Sequence, residues 1–294
     1  KLLKHFLGYI FKFVTDYIMN LCLVKIFTDG NGIAYGVTRL VRPRGTHKAT
    51  IVWLHDIGEN GDDSARFVRE LNLPNVQIRE HIKWICPTAP RRPVSRLGGA
   101  VTTAWCDVTQ VSENMEDDLA SINTTCVLVT NLLAGEPAHV MKGVGGIGLG
   151  AAQGLYFASG YVAGGMGDMG LNAVVGINGW LPAWTNFLYH IDSLTVSGTL
   201  AASLPILLTN ENSTVPFQFG WLSEQSLSRA GIPVTFRPND GSKTSLFFGF
   251  SFHLTLFSET DFGGYAKYMQ EGSYSYWKLA QNIPPALGLT LEFS

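Results

Sequence analysis

The sequence predicts an α/β fold: a doubly wound, mostly parallel sheet with helices on both faces. From about residue 49 the chain alternates short β-rich runs with longer helical patterns, an order typical of parallel strands joined by helical crossovers. The chain of 294 residues is 46% apolar and contains 32 glycines. This composition is sufficient to bury a full core, so it excludes a disordered protein.

The predicted elements follow one another in regular order. The strands are expected at 49–56, 83–90, 142–150 with its closing turn, 172–180, 204–210 and 232–238. The helices are expected at 64–73, 114–134, 151–163 and 217–231. An acidic run at 113–118 is interpreted as the amino-terminal turn of the second helix, where the helix dipole favours carboxylates. That run has no histidine at ligand spacing, so it does not predict a metal site.

The two ends of the chain differ from its middle. Residues 1–30 and 245–294 hold 18 of the 34 aromatic residues. We therefore divide the chain into a divergent apolar segment 1–30, an α/β domain 31–244 and a divergent aromatic-rich segment 245–294. Charged residues interrupt the apolar run at 2–24, so its longest uncharged stretch is shorter than the roughly 20 residues that a membrane span needs. A buried or amphipathic helix is expected there, with weak membrane association through residues 1–25 as the alternative.

Charge and cysteine content narrow the class of protein. The chain has 21 basic and 23 acidic residues, so it lacks the basic excess with which proteins bind nucleic acid. Its four cysteines are widely spaced and form no C-x-x-C pair. This spacing favours reduced, buried thiols and a cytoplasmic protein over a disulfide framework.

A glycine-rich turn closes the predicted strand 142–150. Gly146, Gly148 and Gly150 have the frame of the nucleophile elbow G-x-S-x-G, in which the central residue projects a reactive side chain. Here the central residue is Gly148, which has no side chain. A dinucleotide-binding turn is the alternative, but the third glycine is not at the G-x-G-x-x-G spacing and no acidic partner follows about 20 residues on.

Six blocks of sequence resemble, in order and spacing, the acyl-protein thioesterase and carboxylesterase family of α/β-hydrolases, its plant members especially. They span about residues 36–244 and read TIVWLHDIGENGDD, KWICPTAPRRPV, GGAVTTAWCDV, GVGGIGLGAA, AVVGINGWLPAW and LPILLTNENSTVPFQFG. The resemblance implies the α/β-hydrolase fold. It also implies hydrolysis of acyl thioesters or esters by a serine nucleophile, without a cofactor or a metal.

The family's catalytic triad does not carry over to this chain. The position of its serine corresponds to Gly148. Its orienting acid stands four residues before the proline of a V-P pair, and that position is Asn212 in this chain. Its histidine falls on Thr244, or on His253 if about nine residues are inserted. Because this chemistry needs all three groups, we expect a catalytically impaired homologue. QIREHI (77–82) further looks like an insertion relative to the family.

The family's oxyanion donors are backbone groups, so they survive changes of side chain. The resemblance assigns them to the N–H groups of Ile57 and Leu149. Asp56 stands where the family has glycine, which predicts a carboxylate beside a site that stabilises negative charge. The alternative is that Asp56 turns outward and caps the following segment.

His55, Asp56, Trp105 and Trp180 are expected around the substrate cleft, although large aromatic residues near a sheet edge also serve simply in packing. Three functions remain open: an active serine thioesterase or carboxylesterase, a non-catalytic acyl- or partner-binding protein, and a product of a decayed or mispredicted gene.

Overall fold

One large sheet flanked by helices forms most of the described chain. The computed structural model describes residues 34–71, 79–112, 115–164, 169–184, 187, 203–211 and 215–238. Its strands are β1 Gly36–Val41, β2 Ala49–Leu54, β3 Ile82–Thr88, β4 Arg91–Val94, β5 Ala100–Thr103, β6 Met141–Ile147, β7 Leu171–Ile177, β8 Ile206–Asn210 and β9 Val234–Pro238. Its helices are α1 Gly61–Glu70, α2 Leu119–Ala134, α3 Leu149–Val162 and α4 Phe217–Arg229.

The sheet has the strand order β1-β3-β2-β6-β7-β8-β9. All neighbours pair in parallel except β1, which runs antiparallel to β3 at the edge. β4 and β5 form a separate antiparallel hairpin. The predicted α/β class with a mostly parallel sheet is confirmed.

Both faces of the central strands are buried. Along β2, Ile51 and Trp53 pack with α1 residues such as Val68. Val52 and Leu54 pack on the opposite face with residues of α2 and α3. A strand covered on both faces requires a continuous apolar run rather than alternation, which is why ATIVWL is apolar or β-branched throughout.

Two helices start at residues other than the predicted ones, for a local reason in each case. α1 begins at Gly61 rather than 64 because Asn60 and Asp63 form a reciprocal capping box, which satisfies amino-terminal N–H groups early. α2 begins at Leu119 rather than 114, and Asp118 is its N-cap. Glu116, Asp117 and Asp118 therefore precede the first residue of α2, so the predicted acidic first turn is wrong.

The remaining sequence expectations fall partly outside the described residues. Of the predicted insertion 77–82, Ile82 begins β3 opposite Ala49, and the His81 ring Nδ1 donates to the Thr46 carbonyl at 2.7 Å. Residues 77–78, the segments 1–30 and 245–294 lie outside the described part of the chain. Within the described ranges, no helix is both long and apolar enough to cross a membrane.

Candidate functional site

The loops after β2 and β6 meet at one edge of the sheet. These strands are neighbours, with Leu54 opposite Gly146 near their carboxyl ends. The loop after β2 begins at His55, and the turn after β6 is Gly148. In open α/β sheets, ligands bind at the carboxyl ends of the strands, so this edge is the candidate site.

The turn after β6 has a backbone that glycine adopts readily. Gly148 has φ 54° and ψ −117°, and α3 begins at the next residue. Positive φ of this kind disfavours side chains with a Cβ. Gly150 is required by close packing instead, because a Cβ there would lie 2.2 Å from the carbonyl oxygen of Leu54. The strand, tight turn and helix of a nucleophile elbow are therefore present without a side chain at its centre.

The Asp56 side chain points into this turn. Its Oδ1 accepts a hydrogen bond from the Ile57 N–H at 2.8 Å and another from the Leu149 N–H at 2.9 Å. The second bond joins segments 93 residues apart in the sequence. Asp56 does not cap the segment that follows it, because Asn60 caps α1. The outward orientation considered from the sequence is therefore wrong.

The Asp56 carboxylate also occupies the space above Gly148. A Cβ built on Gly148 would lie 2.2 Å from Asp56 Cγ and 2.3 Å from Oδ2. Real Cβ atoms essentially never approach other atoms that closely. A side chain at position 148 and the observed position of the Asp56 carboxylate therefore exclude each other.

His55 holds the loop after β2 in place. Its Nδ1 lies 2.6 Å from the Asp56 carbonyl oxygen, and its Nε2 accepts the Ala89 N–H at 3.0 Å. A carbonyl only accepts, so Nδ1 carries the proton and the ring is neutral. Burial lowers the pKa of His55, and hydrogen bonding to the Asp56 backbone opposes that shift. With no exposed surface, His55 positions the loop and does not line a cleft.

Trp105 supports the same loop from the interior. Its indole N–H donates to the His55 carbonyl at 2.8 Å, and its ring lies 4.8 Å from the His55 ring, centroid to centroid. Trp105 is fully buried. Its place in the core makes it a packing residue, not the cleft-wall residue that the sequence suggested.

A second carboxylate lies beside Asp56. The Asp56 N–H donates to Glu59 Oε2 at 3.1 Å. Burial raises the pKa of Glu59, and the negative charges of Asp56 and Asp63 add to the rise. The loop after β2 thus places a second acidic side chain against the backbone N–H of Asp56.

The ends of β7 and β8 are tied together next to this site. Asn178 has a positive φ of 55°. Its side-chain amide donates to Glu211 Oε1 at 3.0 Å and accepts from the Glu211 N–H at 2.8 Å. Asn212, Thr244 and His253, the sequence candidates for acid and histidine, lie outside the described residues.

Trp180 lines a small cavity between the loop before α2 and α4. The cavity has a volume of about 30 Å³, room for one or two waters. Asp117 closes one side, where its Oδ2 accepts the Ala183 N–H at 2.7 Å, and burial raises the pKa of Asp117. The Trp180 indole N–H has no hydrogen-bond partner among the described residues.

Sequence reasoning missed two parts of this arrangement. It assigned no role to Glu59 or to the pair of Asn178 and Glu211. Only one signal pointed to the position of Asp56, namely a carboxylate where glycine is expected. Among the described residues, no group of three or more His, Cys, Asp or Glu side chains is placed to hold a metal ion.

Comparisons with known proteins agree on one family. The family model described as phospholipase/carboxylesterase matches residues 36–247. A solved structure, Zea mays acyl-protein thioesterase 2, is 37% identical and has a TM-score of 0.68. The match covers 75% of this chain and 98% of the maize chain.

Two curated relatives named acyl-protein thioesterase are also similar to this chain. Acyl-protein thioesterase 1 homolog 1 of Dictyostelium discoideum is 28% identical over 196 residues, which are 64% of this chain and 79% of that protein. Acyl-protein thioesterase 1 of Schizosaccharomyces pombe is 26% identical over 214 residues, or 70% of this chain and 88% of that protein.

Proposed function

The chain belongs to the phospholipase/carboxylesterase family of α/β-hydrolases, and from this premise we propose that it is an acyl-protein thioesterase-like protein without serine-type hydrolase activity. The single observation that carries the proposal is the Asp56 carboxylate lying over Gly148. The family's mechanism needs a nucleophilic side chain at that place. In serine hydrolases, loss of the nucleophile alone lowers turnover by about a millionfold.

The two proposed oxyanion donors are also engaged. In acyl transfer, such N–H groups stabilise the negative charge that develops on the substrate carbonyl oxygen. Here the N–H groups of Ile57 and Leu149 already donate to Asp56 Oδ1. A substrate carbonyl would have to displace a carboxylate, and the displaced charge beside Glu59 would oppose the developing oxyanion.

The positions of the acid and the histidine, which are assigned by the resemblance alone, support the same proposal. Asn212 is neutral, so it does not stabilise a protonated histidine as an acid does. Thr244 has no basic group, and His253 reaches the histidine position only with an insertion. These assignments remain proposals.

By family resemblance, we propose that the ligands are acyl thioesters or esters of proteins and lipids. A cytoplasmic location is proposed because Cys86, Cys106 and Cys126 are free and buried, which suits a reducing compartment. Weak membrane association through residues 1–25 also remains a proposal.

Acyl binding without turnover is a second candidate function. The cavity beside Trp180 favours it, since the wall is mainly apolar and carries an indole N–H without a partner among the described residues. Its present volume does not hold an acyl chain, so binding would require the cavity to open. Saturable binding of a fatty-acyl ligand that weakens in Trp180→Phe is the expected result, and no binding would count against this candidate.

A turnover assay tests the main proposal. The purified chain is incubated with a p-nitrophenyl ester and with an acyl thioester, and the maize relative serves as positive control. We expect release no faster than in buffer. Saturable turnover that co-purifies with the chain would contradict the proposal. If the chain showed no cooperative thermal transition, this result would instead support the hypothesis that it is the product of a decayed or mispredicted gene.

A further inference from the structure

We infer that the amino-terminal segment 1–30 docks as a helix on the outward side of α2. The α2 surface concerned, called here the neutral face, consists of exposed or half-exposed residues along one side of the helix: Ala120, Asn123, Val127, Thr130 and Ala134. Segment 1–30 itself lies outside the described residues. Its docking is supported by the composition of the neutral face, by the place where the chain reaches α2 and by the apolar pattern of the segment.

The neutral face lacks the charged residues that the other surface helices carry. All 16 residues of α2, LASINTTCVLVTNLLA, are uncharged. Half of the ten residues of α1 are charged, and α4 carries Glu224 and Arg229. A helix side that meets solvent usually carries charged and polar residues. Val127, in the middle of the neutral face, is a large apolar residue with 60% of its surface exposed. This composition is typical of a helix side that another element covers.

The chain enters the described domain beside α2. The Tyr35 hydroxyl lies 3.4 Å from Oγ1 of Thr125, a residue of α2. The Tyr35 ring also lies 6.4 Å from the Trp105 ring, centroid to centroid. Five residues of extended chain span at most about 18 Å, so residue 30 is held within that distance of Tyr35. The helix α2 is itself about 24 Å long, so the carboxyl end of segment 1–30 is within reach of the neutral face.

The apolar residues of segment 1–30 have the spacing of a helix that packs lengthwise on another helix. They recur at alternating steps of four and three residues and are called here the seam: Leu3, Leu7, Ile10, Val14, Tyr17, Leu21 and Val24. The neutral face has the same steps between residues 120 and 134. Matching steps of three and four allow two helices to pack at a shallow crossing angle. Lys4, Lys12 and Asp16 lie outside the seam, so docking buries none of these charges.

Two other arrangements compete with this docking. The seam is the side that would enter a lipid surface, but helices bound at such surfaces have a polar side rich in Lys and Arg. Residues 2–24 contain only two lysines, and an aspartate opposes them. A second copy of the chain on the neutral face would leave the seam uncovered. Docking within one chain covers both surfaces and gains from a high effective concentration.

Cross-linking of the full chain from Cys22 tests the docking. Ala120→Cys, Val127→Cys and Ala134→Cys are prepared one at a time, at exposed positions along the neutral face. Each variant is treated with a short bismaleimide, and linked peptides are identified by mass spectrometry. The other three cysteines are buried, so they should react slowly. We expect at least one of the three variants to link to Cys22 within the same chain in most molecules, and Cys22→Ser should abolish the link.

Arg66→Cys is the matched control. Arg66 is 67% exposed and lies on α1, which packs on the opposite face of the sheet from α2. This variant should give no link to Cys22. Vesicles of phosphatidylcholine and phosphatidylserine should leave the link to α2 unchanged. Four outcomes would overturn the docking: no link from any α2 position, an equal link from Arg66→Cys, links only between two chains, or loss of the link when vesicles are added.

Discussion

The carboxylate of Asp56 lies directly over the α-carbon of Gly148, with Cγ 2.2 Å from the position that a Cβ would take. The two residues thus form one complementary pair. The missing side chain at position 148 leaves room for a carboxylate from the neighbouring loop. That carboxylate in turn satisfies the first N–H of α3.

Gly148→Ser should destabilise the chain without creating activity. The new Cβ would sit at φ 54°, which costs about 1–2 kcal/mol. It would also displace Asp56, leaving the buried Leu149 N–H unpaired at a cost of about 1–3 kcal/mol. We expect the free energy of unfolding to fall by about 2–5 kcal/mol in denaturant titrations, with no gain in ester turnover.

Gly164→Ser is the control for backbone strain alone. Gly164 has φ 78°, and a Cβ there meets nothing within 4 Å. Its serine variant should lose only the strain of positive φ, about 1–2 kcal/mol. Equal losses for the two variants would show that Asp56 does not fill the space above Gly148.

Asp56→Ala should destabilise the fold, although alanine is closer to the glycine that the resemblance predicts at this position. The change removes the shared acceptor of two N–H groups, for an expected loss of about 1–3 kcal/mol in chemical unfolding. Asp62→Ala is the matched control. Asp62 is exposed and pairs with Arg39 at 2.8 Å, and such surface pairs contribute under about 1 kcal/mol. A loss for Asp56→Ala no larger than for Asp62→Ala would contradict the role of Asp56.

His55 should make the fold weaker in mild acid. Burial lowers the pKa of His55 in the folded chain, whereas the unfolded chain binds a proton near pH 6.5. Stability is therefore fully present above pH 6.5 and is lost as the pH falls below it toward the folded pKa. At pH 5.5 this loss reaches at most about 1.4 kcal/mol.

His55→Gln should reduce the difference in unfolding free energy between pH 7.5 and pH 5.5. The expected result is a larger reduction in His55→Gln than in the control His139→Gln, which changes a histidine at an exposed position. A His55→Gln variant with an unchanged difference would show that His55 is not the group responsible.

Asn210→Leu should stabilise the chain. Neither amide atom of Asn210 has a hydrogen-bond partner among the described residues, although the side chain is buried at the end of β8. An unpaired buried polar group costs about 1–3 kcal/mol, and leucine keeps the γ-branch without polar atoms. We expect a rise of about 1 kcal/mol in the free energy of unfolding.

Asn178→Leu provides the opposite case. Asn178 makes two hydrogen bonds with Glu211 and has a positive φ, so its leucine variant should lose stability. Stabilisation of both variants, or destabilisation of both, would contradict the distinction between the two amides.

Strands with a strong apolar pattern were predictable from the sequence, and strands with a weak apolar pattern were not. β2 is a continuous buried strand, and its run ATIVWL is recognisable in the sequence. β1 escaped prediction because it is an edge strand whose residues are mostly exposed or half-buried. The hairpin of β4 and β5 escaped because its strands have four residues each and β4 contains Pro93.

At the candidate site, the sequence singled out Gly148 and Asp56 but not how they meet. The resemblance predicted that both positions depart from the family's pattern. Their contact depends on the pairing of β2 with β6, which brings together residues 93 positions apart. No local pattern encodes the rotamer that turns Asp56 inward, so only the tertiary structure relates the two substitutions.

Covalent labelling of the purified chain by a fluorophosphonate, read by intact mass, tests the central claim most directly. The probe reacts only with a nucleophile that is activated beside an open oxyanion site. With Gly148 at the elbow and Asp56 on both N–H groups, the chain should keep its unmodified mass while the maize relative gains one adduct. One adduct per chain at stoichiometric yield would contradict the account.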